Sequence, residues 1–193
     1  MRGLRDICTN CEISPPPYDA LRSLADYEGI TRECVHALKY DNNQSLGEFF
    51  SKALVDRVRL EQWSVDMVIP VPLSPSKIKT RGFNQSALLA RPLALQLSLK
   101  YRPYGLKRIR NTRSQVELSA EERRQNVMGA FLAEPDIVSG RRVLLVDDVT
   151  TTGSTLIECA KALKSVGASA VYCLTLARPL KPLYSSKSAS CIM

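Results

Sequence analysis

A chain of 193 residues that is 45% hydrophobic and 24% charged has the apolar mass for one folded core and none of the bias of a disordered or fibrous protein. It contains no run of about 18 apolar residues, which argues against a membrane-spanning helix. The opening MRGLRDICTNCE lacks the apolar stretch of a secretory signal, so the cytoplasm is the expected compartment. The net charge of +8 favours anionic partners, either phosphates or nucleic acid, and does not choose between them.

In chain order, residues 1–17 end in SPPPY and read as an N-terminal segment on a stiff linker. Residues 18–60 read as helices, with Ile30, Cys34 and Leu38 on one face. DMVIPVP is a buried strand, and SPSKIKTRGFNQ a basic loop. QSALLARPLALQLSL is a helix, expected to kink at Pro92. YGLKRIR reads as a strand. NTRSQVELSAEERRQNV reads as a long loop with a short helix, which Ser119 and Glu122 would open as a capping box. GAFLA is a short strand and RRVLLVDD a second buried one. A helix from Ser154 to Val166 stops at Gly167, and AVYCLTLAR closes the sheet. Residues 181–193 read as a flexible tail, which leaves 18–180 as the domain. Strands alternating with helices predict an α/β fold, a mainly parallel sheet flanked by helices. In such sheets ligands sit beyond the carboxyl ends of the strands, and Asp147 and Asp148 fall at one of them.

LLVDDVTTTGST, residues 144–155, is the most informative stretch. A loop from Val149 to Thr155 that opens a helix offers unpaired backbone N–H groups and the helix dipole to an anion. Gly153 permits a positive φ and a close approach, and Thr150, Thr151, Thr152, Ser154 and Thr155 add hydroxyl donors. The aspartates repel phosphate, so they suit sugar hydroxyls or a hydrated Mg²⁺. Phosphate on one side and a diol on the other describe a ribose 5-phosphate. A Walker B strand is the first rival, but no G-x-x-x-x-G-K-[ST] accompanies it. A phospho-receiver domain is the second, but its acidic pair follows a first strand. A plain strand–turn–helix needs one capping residue, far less than is present here.

At these residues the chain resembles the type I phosphoribosyltransferases, whose loop for 5-phosphoribosyl 1-pyrophosphate (PRPP) VLLVDDVTTTG matches nearly throughout. HALKY, IPVPLSPSKIKTRGFNQSALLA and RNTRSQVELSAEERRQNVMGAF narrow the resemblance to the ComF family of competence-associated proteins, over roughly residues 18–178. The resemblance implies a type I phosphoribosyltransferase fold and displacement of pyrophosphate from PRPP with Mg²⁺. It places Asp147 and Asp148 at the ribose hydroxyls and the metal, and residues Val149 to Thr155 at the 5-phosphate. Lys77, Lys79 and Arg81 fall where the family binds pyrophosphate. Arg110, Arg113 and Gln115 fall in the mobile catalytic loop, with Arg113 counted as catalytic. No set of residues names the acceptor.

Cys8-x-x-Cys11 is half a zinc site. Cys34 and His36 do not complete it, because they point different ways on a helix; His36 reads as a surface residue, and Cys159 and Cys173 as buried thiols. The strip from Lys100 to Arg124 interleaves basic residues with Tyr101 and Tyr104, which reads either as an ordinary solvated face with catalytic arginines or as a site for single-stranded nucleic acid, and the resemblance points to single-stranded DNA. The resemblance adds a DNA-uptake helicase as an expected partner. An accessory protein that binds PRPP and single strands with little turnover is therefore the alternative to an enzyme.

Overall fold

The computed structural model describes residues 13–41, 44–111 and 119–179. The elements run β1 (Ala20–Asp26), α1 (Gly29–Tyr40), α2 (Gln44–Leu60), β2 (Met67–Pro70), α3 (Pro75–Arg81), α4 (Gln85–Gln96), β3 (Lys100–Tyr101) and β4 (Leu106–Arg108). They continue α5 (Ala120–Val127), β5 (Phe131–Ala133), α6 (Pro135–Val138), β6 (Arg142–Val149), α7 (Ser154–Ser165) and β7 (Ala170–Arg178). Five strands form one sheet in the order β1-β7-β6-β2-β3, and every pairing in it is parallel. Strands β4 and β5 make a separate antiparallel ribbon. This is the α/β architecture expected from the sequence.

The alternation of side chains along β6 divides the core in two. Val143 and Leu145 pack with Leu156, Cys159 and Leu163 of α7, and with Leu106 and Phe131 of the ribbon. Leu144 and Val146 pack on the opposite face with Val35 and Leu38 of α1, Leu54 of α2 and Leu89 and Leu93 of α4. All four strand residues are fully buried. At about 1.5–3 kcal/mol for each such side chain, they anchor β6 firmly enough to carry polar groups at its end. Helices α2 and α4 come so close that a Cβ on Gly47 would lie 2.5 Å from the Leu88 carbonyl oxygen.

Four expectations need correction. Residues 18–60 are not all helical, because ALRSLAD forms β1 on the edge of the sheet. Its apolar residues mimic helical spacing, and only Leu21 is buried. AVYCLTLAR therefore does not close the sheet; β7 lies between β6 and β1. The buried residues of α1 are Val35 and Leu38, while Ile30 is 78% exposed. The basic loop is largely a helix, α3, and none of its residues is buried. It is fixed by its ends instead: Ser74 accepts from the Lys77 N–H, Pro75 sits in the first turn, and Gly82 ends it at φ 81°. The expected capping box does open α5, with the Ser119 hydroxyl and the Glu122 carboxylate each accepting from the other's backbone N–H.

Candidate functional site

The site lies at the C-terminal end of the sheet, where β6 runs out. The two-residue period sends Asp147 after Val143 and Leu145 toward α7, and Cys159 of that helix and Cys173 of β7 feel its charge. It sends Asp148 after Leu144 and Val146 toward α1 and α4. Both carboxylates are buried, with residue exposures of 8% and 4%. The Ser86 hydroxyl donates to Asp147 Oδ1 at 2.8 Å, and the Asp148 N–H donates to the same oxygen at 3.0 Å. The Gln85 amide donates to Asp148 Oδ1 at 3.4 Å. Asp148 Oδ2 is left to Lys39, whose Nζ lies 2.9 Å away.

The stretch RGFNQS supplies this polar cradle by ending one helix and starting the next. Gly82 closes α3. Asn84 opens α4 by accepting from the Ser86 N–H, and its amide donates to the Val71 carbonyl just past β2. Gln85 and Ser86 are thereby held in the first turn of α4, under the aspartates. Gln85 also accepts from the Arg81 guanidinium at 2.5 Å, and that guanidinium sits 5.3 Å from the Tyr40 ring centroid. Arg81, Gln85, Asp148 and Lys39 thus form one connected network.

Burial raises the pKa of Asp147 to about 8, and the charge of Asp148 pushes it the same way against the Ser86 hydrogen bond. Burial pulls Lys39 down, but the charge and hydrogen bond of Asp148 outweigh it and the net shift is upward. Burial lowers Lys77, and the neighbouring charges of Arg108, Arg81 and Lys39 lower it further. Burial also lowers Arg108, with Asp147 acting against the shift. Cations gathered around Lys77 in this way suit an anionic ligand.

Between β6 and α7 the loop takes the form expected of it. Its start is pinned by the Thr150 N–H on the Ala177 carbonyl of β7. The Thr152 and Ser154 hydroxyls hydrogen-bond each other at 2.8 Å. Gly153 precedes α7 at φ 76° and offers no capping side chain, so the helix presents its first N–H groups to the loop. Arg123 of α5 donates to the Thr151 hydroxyl at 3.3 Å, which brings a cation to the loop. A Cβ on Gly153 would meet nothing within 4 Å, so only backbone strain opposes a substitution. Gly153→Ala is expected to cost about 1–2 kcal/mol in urea denaturation, the penalty of a left-handed conformation for an L-residue.

The expected site residues divide accordingly. Asp147, Asp148 and the loop from Val149 to Thr155 come together with Lys77 and Arg81, four residues apart on α3. Lys79 lies two residues from each of them and is exposed. Arg110 donates to the carbonyls of Asn126 and Met128, tying the end of β4 to the end of α5. Arg113 and Gln115 lie outside the described residues, as do Cys8 and Cys11. Lys39, Gln85, Ser86, Arg108 and Arg123 join the site without having been singled out for it. The first three stand inside HALKY and RGFNQS, so those motifs carried the signal without its meaning.

The acid pair suits hydroxyl groups better than a directly bound Mg²⁺. Asp147 Oδ1, Asp148 Oδ1 and Asp148 Oδ2 already face a hydroxyl, two N–H groups and an ammonium. No group of three or more acidic, histidine or cysteine side chains able to hold a metal occurs among the described residues. Beside Asp148 an octahedral ion would meet Lys39, and it would have to find most of its ligands elsewhere.

The basic strip does not form one surface. Lys100 and Arg102 join Arg141 around a recess of about 180 Å³ beside Met67, at the opposite end of the sheet. Lys107, Arg108 and Arg110 belong to the ribbon and the turn beyond it. Tyr104, Ile109, Met128 and Leu132 are exposed there, at 74%, 60%, 60% and 51%.

Comparison with known proteins agrees with this fold. The family model for the phosphoribosyl transferase domain matches residues 83–190. DNA utilization protein YhgH of Escherichia coli (strain K12) is 36% identical over 178 residues, covering 90% of this chain and 78% of that protein. Competence protein F of Haemophilus influenzae is 34% identical over 178 residues, covering 89% and 78%. Among solved structures, the glutamine phosphoribosylpyrophosphate amidotransferase of B. subtilis, complexed with ADP and GMP, aligns with a TM-score of 0.52. It shares 22% identity, over 74% of this chain and 30% of that one, which shows the fold alone. The chain belongs to the phosphoribosyl transferase domain family and, within it, to the ComF group of competence-associated proteins.

Proposed function

We propose that the chain binds PRPP across the C-terminal end of its sheet and transfers the phosphoribosyl group to a nucleophilic acceptor, releasing pyrophosphate in the cytoplasm. The observation that carries this reading is the position of Asp147 and Asp148 between two anion-seeking surfaces. On one side stand the loop hydroxyls and N–H groups with Arg123, and on the other Lys77, Arg81 and Arg108. The 5-phosphate takes the loop, the ribose diol the aspartates, and the pyrophosphate the cations. In the reaction the bond from the anomeric carbon to the pyrophosphate oxygen breaks and one to the acceptor forms. Positive charge grows on the ribose ring and negative charge on the leaving group. The buried carboxylates sit beside the first and the three cations beside the second. Arg113, in the segment between Asn111 and Ser119, would close over the reacting sugar and exclude water.

A second reading is favoured by the names of the relatives and by the ribbon. The relatives are called DNA utilization and competence proteins. The exposed Ile109, Met128 and Leu132 lie on or beside the ribbon that carries Lys107 and Arg110, and the exposed Tyr104 precedes it; apolar, aromatic and basic side chains of this kind suit stacked bases and phosphates. In this reading the chain binds PRPP and single-stranded DNA, alongside a DNA-uptake helicase, with little turnover. No helix among the described residues is long and apolar enough to cross a membrane.

Calorimetry with PRPP, with and without Mg²⁺, tests the first reading. Saturable micromolar binding is the expected result, and no binding under either condition removes it. Single-stranded DNA that binds in a salt-dependent way with no pyrophosphate released from PRPP would favour the second.

A further inference from the structure

The acid pair already has a cation beside it, and that cation comes from the chain. Lys39 lies in the last turn of α1, held there by the neighbouring buried Leu38 and by Val35 one turn back. Its side chain is 25% exposed, and the Asp148 side chain it meets is only 6% exposed. Asp148 Oδ2 is buried and has no other donor among the described residues. An ion pair this shielded is not the solvent-screened kind that contributes little. Two consecutive buried carboxylates need a compensating positive charge, and Lys39 provides it from a helix distant in sequence.

We infer that Lys39 is a positioning residue that holds the place beside Asp148 otherwise left to a divalent metal, so that the ribose 5-phosphate half of the site works without one. The charge count points the same way. Lys39, Lys77, Arg81 and Arg108 bring four positive charges against at most two negative ones from Asp147 and Asp148, an excess of at least +2 before any ligand arrives. A divalent ion entering beside Asp148 meets that excess and an occupied oxygen. A sugar diol meets two carboxylates already fixed in place: Asp147 by Ser86 and the Asp148 N–H, and Asp148 by Gln85 and Lys39.

This inference rests on the PRPP reading, and the experiment separates the two. The probe is ribose 5-phosphate, which has no pyrophosphate to chelate a metal. Its affinity is measured by calorimetry in EDTA and again in Mg²⁺, for the wild-type chain, Lys39→Ala and Lys39→Arg. The wild-type affinity is expected to change by no more than about twofold on adding Mg²⁺. Lys39→Ala is expected to bind about tenfold or more weakly in EDTA and to recover on adding Mg²⁺, while Lys39→Arg stays metal-independent. A general loss of structure would not be repaired by metal, so the recovery is the diagnostic readout. If Lys39→Ala lacks a cooperative thermal transition, Lys39→Gln replaces it, keeping a long polar side chain without the charge. Equal affinity of the wild type and the uncharged variant in EDTA overturns the inference and leaves the PRPP reading standing. So does a wild type that needs Mg²⁺ to bind ribose 5-phosphate. A wild type that binds neither ribose 5-phosphate nor PRPP removes both.

Discussion

Replacing Asp147 and Asp148 together by asparagine is expected to lower PRPP affinity by about a hundredfold or more and to leave the fold intact. Each acid offers a hydrogen-bond acceptor to the sugar diol, charge-assisted when the group is ionised, an interaction then on the order of 1.5–3 kcal/mol. Asparagine keeps the shape and loses the charge. The loss should appear equally with ribose 5-phosphate, because the aspartates face the sugar and not the leaving group. Unchanged affinity for both ligands would remove the site from the end of β6.

Stability should move the other way, and with a definite dependence on pH. The pKa of Asp147 is raised by burial to about 8 from 3.8, so the folded chain holds a proton there that the unfolded chain releases. A raised carboxyl pKa contributes stability that is fully present below the unfolded value and is lost as pH rises through the folded one. The single variant Asp147→Asn has no such proton to lose. Its advantage over wild type in denaturant midpoint should therefore be small near about pH 4, grow toward about pH 8 and level off above it, reaching a few kcal/mol at most. An advantage that shrinks as pH rises would mean that Asp147 is held as a stabilised carboxylate.

The sequence shows this part of the molecule well because a single stretch holds both its structure and its chemistry. The run VLLV can only be a strand buried on both faces, and the loop after it holds more hydroxyls and acids than a helix start needs. AVYCLTLAR was legible for the same reason, and the nine residues of β7 are those nine. Strand β1 was hidden by its place at the sheet edge, where one side chain in seven is buried and the apolar pattern is ambiguous. Helix α3 was hidden because it buries nothing and is set by its caps alone. The partners of the aspartates were hidden by distance: Gln85 stands 63 residues from Asp148, and Lys39 farther still. Composition could not choose Arg108 from the other cations of its strip. Its position could, since it faces Asp147 and Lys77 on one side while its guanidinium sits 5.3 Å from the Phe131 ring centroid.

Arg108→Ala and Lys77→Ala are each expected to weaken PRPP by about ten- to a hundredfold and to leave ribose 5-phosphate within about twofold, as for a charge-assisted contact made to pyrophosphate alone. Burial depresses the pKa of both cations, and for Lys77 the repulsion of Arg108 adds to the depression. An incoming pyrophosphate relieves the repulsion, so affinity is gained at the expense of the free protein. Removing either cation should accordingly raise the thermal midpoint while it lowers PRPP affinity, the pairing of effects typical of a functional charge cluster. Lys79→Ala supplies the comparison: the residue carries the same charge on the same helix, but it is exposed between the two site cations and should change neither ligand's affinity. Calorimetry with both ligands on all three variants decides the matter. Equal losses for PRPP and ribose 5-phosphate would mean that Arg108 and Lys77 act on the acid pair and the sugar, and that the pyrophosphate lies elsewhere. A loss in Lys79→Ala as large as in the other two would mean that the net charge of α3, and not the geometry of its inner face, attracts the ligand.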